Sequence, residues 1–374
     1  MRIIDSEVTP KLHTDRTLLF ASKPVGHLVG SSSSKPVGHF ADVLAGVGMP
    51  GVLGTPEPLC DGIDVVPLTG DAIADDVLSA LDGEGEGGQL VADPAFYDGT
   101  FKLAASKPVG HGLAFVEVTL DQEPPSAWKP PAPTLRRPVI ALLDTGVRYH
   151  RWLSVGTDED PFLIDATRQA GHEWQPLDTM PSEDTIVAHL DSGSPSKAGH
   201  ATFIAGLIRQ AAPGARVLDV RVLNDKGFSN ESTVCRALKW ILEHIERGNP
   251  VDVICMAFGR IPGDEGPEPL VQPMRCLLGK LADKGVQLVA SAGNDHFDGD
   301  VYPGAFETVT AVGAGFAGYH ADFSNFGDWV GRYRDGVDLL STFPDGKWAR
   351  WSGTSFAAAS FAADLARPHV VAVS

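Results

Sequence analysis

A chain of 374 residues is long enough for two domains of ordinary size, and its 43% apolar side chains suffice to fill a core in each. Its 30 basic and 48 acidic residues leave a formal charge of −18, which argues against a nucleic-acid or anionic-membrane surface and favours a neutral or cationic partner. No segment approaches the roughly 18–20 apolar residues of a membrane span, and the opening MRIIDSEVTPKLHTD has no apolar run of signal-peptide length, so a cytoplasmic location is expected.

In chain order, residues 1–120 carry short β-like runs, TLLF, DVVPL and LAFVEVTL, set among Gly-, Ser- and Pro-rich stretches. That pattern predicts a small sheet-containing N-terminal module. The hexamer SKPVGH occurs in it three times, at 22–27, 34–39 and 106–111. Proline and glycine beside each histidine predict a turn. A metal site from His27, His39 and His111 is the competing reading, but no cysteine or carboxylate recurs with them. Residues 121–138, DQEPPSAWKPPAPTLRRP, hold Pro124, Pro125, Pro130, Pro131, Pro133 and Pro138, which block regular structure and predict an extended linker.

Beyond the linker, in 139–374, the rhythm changes. Apolar runs PVIALLD, RVLDVRVL, DVICMAFG, VQLVASAG and ETVTAVGA predict strands. Between them TVCRALKWILEHIERG and EPLVQPMRCLLGKLADKG have apolar residues at three- and four-residue spacing and end in glycine, as helices do. Strands alternating with helices predict an α/β fold, a mostly parallel sheet covered on both faces. The stretch from Val155 to Ser196, rich in Asp, Glu, Ser and Pro, is expected to be a loop at the rim of a cleft. Cys60, Cys235, Cys255 and Cys276 lie far apart with no CxxC pair, and are expected to be separate thiols, not a disulfide framework or a zinc site.

Ligands of such sheets bind at the carboxyl ends of the strands. Three residues there bear on chemistry. Asp144 ends a strand in LLDTGV; His200, at the end of SKAGH, opens the helical stripe of GHATFIAGLIRQ; Ser355 follows a glycine turn in WSGTSFAAASFAADLA. Singly, each reads as a cap, a turn residue or a structural histidine. Together they supply a nucleophile, its base and an acceptor that holds the base in one tautomer.

With SAGN ending at Asn294, the ordered motifs LLDTGV, GHATFIAG, SAGN and SGTSFAA make the region from about Arg136 to Ala366 resemble the subtilisin-like serine peptidases, the subtilase family or peptidase S8. VYPGAFETVTAVGA and DFSNFG are secondary matches. The resemblance implies a three-layer subtilisin-like fold and a serine endopeptidase acting through an acyl-enzyme. Asp144, His200 and Ser355 would form its catalytic triad, and Asn294 would donate to the oxyanion. Ala257, Phe258 and Gly259, with Ser291, Ala292 and Gly293, would line the site for an extended polypeptide substrate. The residues before the linker would be a prodomain-like or substrate-recruiting module. The chain departs from the family at Ala201, where glycine is usual, and at Ala359, where proline is usual. The mechanism requires no cofactor and no catalytic metal. Structural calcium, common in the family, finds no regular ligand spacing in Asp158-Glu159-Asp160 or in Asp295, Asp298 and Asp300. A non-catalytic peptide-binding pseudopeptidase is the alternative.

Overall fold

The computed structural model describes residues 13–21, 37–60, 63–72, 74–82, 90–97, 116–118, 135–153, 156–157, 160–166, 199–223, 227–260, 272–367 and 371–372. The N-terminal part contributes β1 (His13–Ala21), α1 (Val37–Gly46), β2 (Glu57–Cys60), β3 (Ile63–Pro67), α2 (Ala74–Asp82), β4 (Leu90–Tyr97), β5 (Val116–Val118) and β6 (Leu135–Arg136). Then follow β7 (Val139–Asp144), β8 (Gly156–Thr157), β9 (Asp160–Pro161), β10 (Leu163–Asp165), α3 (His200–Ala211), β11 (Arg216–Arg221), β12 (Phe228–Asn230), α4 (Glu231–Glu246) and β13 (Val253–Met256). The chain continues through α5 (Gln272–Asp283), β14 (Gln287–Ser291), β15 (Thr310–Phe316), β16 (Tyr319–His320), β17 (Arg332–Asp335), β18 (Leu339–Phe343), β19 (Lys347–Trp351), α6 (Thr354–Ala366) and β20 (Val371–Ala372).

The five apolar runs become β7, β11, β13, β14 and β15, neighbours in one sheet ordered β10-β11-β7-β13-β14-β15-β16, with β17 also paired to β15. From β10 to β15 every pairing is parallel, which requires crossover connections and so places helices on the faces. Successive side chains of a strand point to opposite faces. Ile140, Leu142, Val253, Cys255 and Val289 pack with Ala201, Phe203 and Ile204 of α3 and Phe356, Ala357 and Ala358 of α6. Their neighbours Ala141, Leu143, Ile254 and Met256 pack with Val234 and Leu238 of α4 and Leu277, Leu278 and Leu281 of α5. The result is the expected α/β arrangement in three layers.

A second sheet, ordered β12-β4-β1-β3-β2, joins the N-terminal strands to β12 from the later part of the chain. Its pairings are antiparallel. Phe40 and Leu44 of α1 and Val77 and Leu81 of α2 form a small core with Val66 and Leu68. β2 and α4 are also tied by Arg236 to Glu57 at 2.6 Å and by Lys239 Nζ donating to the Pro58 carbonyl at 3.0 Å. β5 adds to the β18-β19 hairpin, β20 pairs with β6, and β8 with β9.

Three expectations change. In the second SKPVGH copy, Val37, Gly38 and His39 begin α1 instead of making a turn, because Phe40 and Leu44, at helical spacing, bury themselves against the small sheet. The other two copies and linker residues 121–134 lie outside the described residues. The Val155–Ser196 stretch contributes β10, an edge strand of the main sheet; residues 167–198 lie outside the described residues. Cys235 and Cys255 are buried thiols, but Cys276 on α5 is disulfide-bonded. Sequence spacing could not show this, since it reflects packing between distant segments. Among the described residues no helix is long and apolar enough to cross a membrane.

Asp252, just before β13, holds the start of the sheet. Its carboxylate takes both terminal nitrogens of Arg136, at 2.9 and 2.6 Å, and the Val139 amide at 2.8 Å. The contact with Asp252 raises the Arg136 guanidinium pKa against the opposing effect of burial. Asp252→Ala is expected to lower the unfolding free energy by about 2–3 kcal/mol in urea titration. Arg136→Ala is expected to cost less, because the Arg136 side chain is 33% exposed.

Candidate active site

Asp144 is the last residue of β7 and is fully buried. Its main-chain oxygen accepts the amides of Val222 and Leu223 beyond β11, at 2.9 and 3.1 Å. Its Oδ1 accepts the Thr145 amide at 2.7 Å and the Thr145 hydroxyl at 3.1 Å. His200, at the first turn of α3 and 1% exposed, sets Nδ1 at 3.0 and 2.9 Å from the two Asp144 oxygens. A carboxylate facing Nδ1 favours the tautomer with its proton there, leaving Nε2 to exchange a proton with a substrate or nucleophile. The imidazole packs edge-on to Trp351 at 5.6 Å and against Phe356 at 5.5 Å, so aromatic walls hold its plane.

Local sequence explains why α3 begins where it does. Gly199 lies against the Phe343 ring, where a Cβ would collide, so the helix start approaches β18 closely only with glycine there. The Ser341 and Thr342 hydroxyls then donate to the carbonyls of Phe203 and Thr202, at 2.6 and 2.7 Å. On the same turn the Thr202 hydroxyl accepts the Arg148 amide at 2.9 Å, and Thr145 accepts the Ala201 amide at 3.3 Å. The Asp144 turn and the His200 turn are thus stitched together.

Ser355 stands in the first turn of α6, where backbone amides lack partners within the helix. It is 2% exposed and donates its hydroxyl to the Ala257 carbonyl at 3.2 Å. The neighbouring Thr354 gives its amide and hydroxyl to Asn294 Oδ1, at 2.9 and 3.0 Å, and accepts the Gly293 amide at 3.1 Å. Holding the amide oxygen in this way fixes which end of the Asn294 side chain is the NH2 donor. Gly293 has φ +102°, and a Cβ there would collide with Asn325 Nδ2. Asn325 donates to the Ala292 carbonyl at 2.8 Å and accepts the amides of Asp295 and Phe297, at 2.9 and 3.0 Å.

The candidate lining segments continue adjacent strands, Ala257-Phe258-Gly259 after β13 and Ser291-Ala292-Gly293 at the end of β14. Phe258 turns its ring into the core, so it offers an extended ligand only backbone. The structure therefore brings Ala257 and Gly293 beside the Ser355 and Asn294 region and makes Phe258 a packing residue. Burial pushes the Asp295 carboxyl up to about 6. No group of three or more His, Cys, Asp or Glu side chains suited to a metal is gathered among the described residues; Asp158 and Glu159 lie outside them.

Sequence reading did not single out Thr145, Thr354 or Asn325. Thr145 and Thr354 stand one residue from Asp144 and Ser355, and Asn325 lies within DFSNFG, so adjacency was their signal. Asp219 of β11 had none.

Among known proteins, the model of the subtilase family matches residues 136–367. The thermophilic serine proteinase of Bacillus sp. (strain AK1) is 31% identical over 237 residues, 63% of this chain and 50% of that protein. The intracellular serine protease of Paenibacillus polymyxa is 32% identical over 184 residues, 45% of this chain and 52% of that one. Subtilisin NAT of Bacillus subtilis subsp. natto is 27% identical over 245 residues, 62% and 52% of the two chains. This chain thus spans about half the length of these curated relatives. A solved cold-adapted subtilisin-like serine proteinase matches at 22% identity and TM-score 0.46, covering 62% of this chain and 74% of its own. With the family's model running from before β7 to the end of α6, the chain belongs to the subtilase family.

Proposed function

We propose that this chain is a serine endopeptidase that hydrolyses polypeptides through an acyl-enzyme. The observation that carries the reading is the buried Asp144–His200 pair, Nδ1 to carboxylate at 2.9 Å, with Phe356, the residue after Ser355, packed on the imidazole at 5.5 Å. Ser355 Oγ attacks the scissile carbonyl while His200 Nε2 accepts its proton, then returns it to the departing amine. Asp144 holds the imidazole tautomer and stabilises the imidazolium. The tetrahedral oxyanion takes hydrogen bonds from Asn294 Nδ2 and the Ser355 amide. Water, activated by His200, then releases the acyl group and restores Ser355. The substrate lies extended along Ala257–Gly259 and Ser291–Gly293, its backbone adding as a strand. No step calls for a cofactor or metal.

Residues 1–120 are read as a prodomain-like module ahead of a 139–374 peptidase domain. β12 follows β11 at the strand ends that carry Asp144, and β4 occupies an edge of β12, Tyr97 opposite Phe228 and Ala95 opposite Asn230. A strand laid there is placed to govern access to the site.

A fluorophosphonate probe, which reacts rapidly only with an activated serine, tests the central reading. Full-length protein is expected to label, and Ser355→Ala to lose labelling and peptide hydrolysis without a lower Tm; a folded wild type that stays unlabelled supports the pseudopeptidase alternative. Thr354→Val removes the hydroxyl that donates to Asn294 Oδ1 and accepts the Gly293 amide, and is expected to lower kcat at least tenfold, about 1.4 kcal/mol or more, with KM little changed. Removing residues 1–133 is expected to increase the labelling rate or to abolish folding; equal labelling and equal Tm would refute the prodomain-like role.

A further inference from the structure

Asp219 is a carboxylate in the middle of a sheet strand, a place where apolar residues are the rule. In register it stands opposite Leu142 on β7 and Asp165 on β10, while Arg221 stands opposite Asp144. Strand alternation puts Asp219 on the sheet face of Leu142 and Val217, which pack with α3, the helix that begins at His200. Its Oδ2 accepts the Val147 amide at 2.9 Å. Its Oδ1 is sealed from solvent and has no hydrogen-bond partner. A buried oxygen in that state costs stability, so packing does not explain the choice of aspartate. What the side chain holds is the turn Thr145–Arg148 that leaves Asp144.

We propose that Asp219 is a positioning residue for the Asp144–His200 pair: it fixes the turn after Asp144 through the Val147 amide, and in its ionised form its negative charge adds to that of Asp144 in the field at the His200 imidazolium. The inference rests on the roles proposed above for Asp144 and His200. The turn has three fastenings, Asp219 to Val147, Thr202 to Arg148, and Thr145 to Ala201. The first is the one that carries a charge.

Burial pushes the Asp219 carboxyl up to about 7; the Val147 hydrogen bond pulls it down, the charges of Asp165 and Asp144 push it further up, and Arg221 pulls it down. The charged groups acting on it are thus Asp144 from β7, Asp165 from β10 and Arg221 from its own strand, with Asp144 standing between it and His200 of α3. Arg209, also on α3, is taken up by the Trp152 and Phe162 rings, and Arg148 belongs to the turn itself. The folded value lies above the usual carboxylate range near 3.9. The stability linked to the proton is therefore fully present below about pH 4 and lost as the pH rises through about 7.

The test follows the His200 ring by NMR titration in the full-length chain, its signal assigned by absence in His200→Gln, together with thermal melting and kcat/KM on a peptide. Asp219→Asn keeps an oxygen for the Val147 amide and removes the charge. It is expected to move the His200 midpoint down by about half a unit or more, to carry the acid limb of kcat/KM with it, and to raise the Tm at pH 8.5 but not at pH 5. Asp219→Ala, which also releases Val147, is expected to show the same shift and to lower kcat further. An unmoved His200 midpoint in Asp219→Asn overturns the proposal even if the Tm rises, because that pattern belongs to a structural aspartate alone. A wild type without hydrolysis overturns the peptidase reading separately, since the His200 titration still decides the role of Asp219.

Discussion

Placing a carboxylate where it has no exposed surface is the constraint around which this protein is arranged. An isolated buried charge costs several kcal/mol, and Asp144 meets that cost with the amide and hydroxyl of Thr145 and the ring of His200. The peptide unit is held as well, by the amides of Val222 and Leu223. Each of these partners comes from a different place: the following residue, the start of α3, and the exit from β11. Only a parallel sheet, whose strands all end on one side, collects them there.

The second requirement is that Ser355 reach the same edge, where its hydroxyl donates to the Ala257 carbonyl just beyond β13. α6 does this with small side chains: Ala357, Ala358, Ala359, Ala362 and Ala363 are fully buried and let the helix lie close against the sheet face of Val253, Cys255 and Val312. Ala359, where the family usually has proline, continues an uninterrupted helix from Thr354 to Ala366. Phe356 then serves two purposes, packing on Phe203 at 4.5 Å and walling the His200 ring at 5.5 Å. Core packing and site geometry are here the same contact.

Around these groups lies a set of neutral side chains that hold loops. Thr354 and Asn325 fix the Asn294 segment, and Ser341 and Thr342 fix α3. Neutral hydrogen bonds position groups without adding charge around the buried Asp144–His200 pair. Asp219 is the exception, and its cost is visible in the unpartnered Oδ1. The N-terminal sheet shares β12 with the later part of the chain and also joins the core packed on α4 and α5 through Val65 of β3.

The central strands, helices α4 and α5 and the positions of Asp144, His200, Asn294 and Ser355 were legible in the sequence, because hydrophobic period and short glycine-bearing motifs are local properties. Tertiary structure alone decided the partnerships: that β12 belongs to the N-terminal sheet, that β5 joins β19, that Cys276 is in a disulfide, that Val37 to His39 start a helix, and that Phe258 faces the core. Strand pairing and side-chain facing depend on segments far apart in the chain, and nothing in one segment's composition encodes its distant neighbour. Asp219 shows the limit most clearly. In RVLDVRVL it is one polar letter in an apolar run, and its meaning arises only when β7 and β10 bring two further carboxylates and a turn amide beside it.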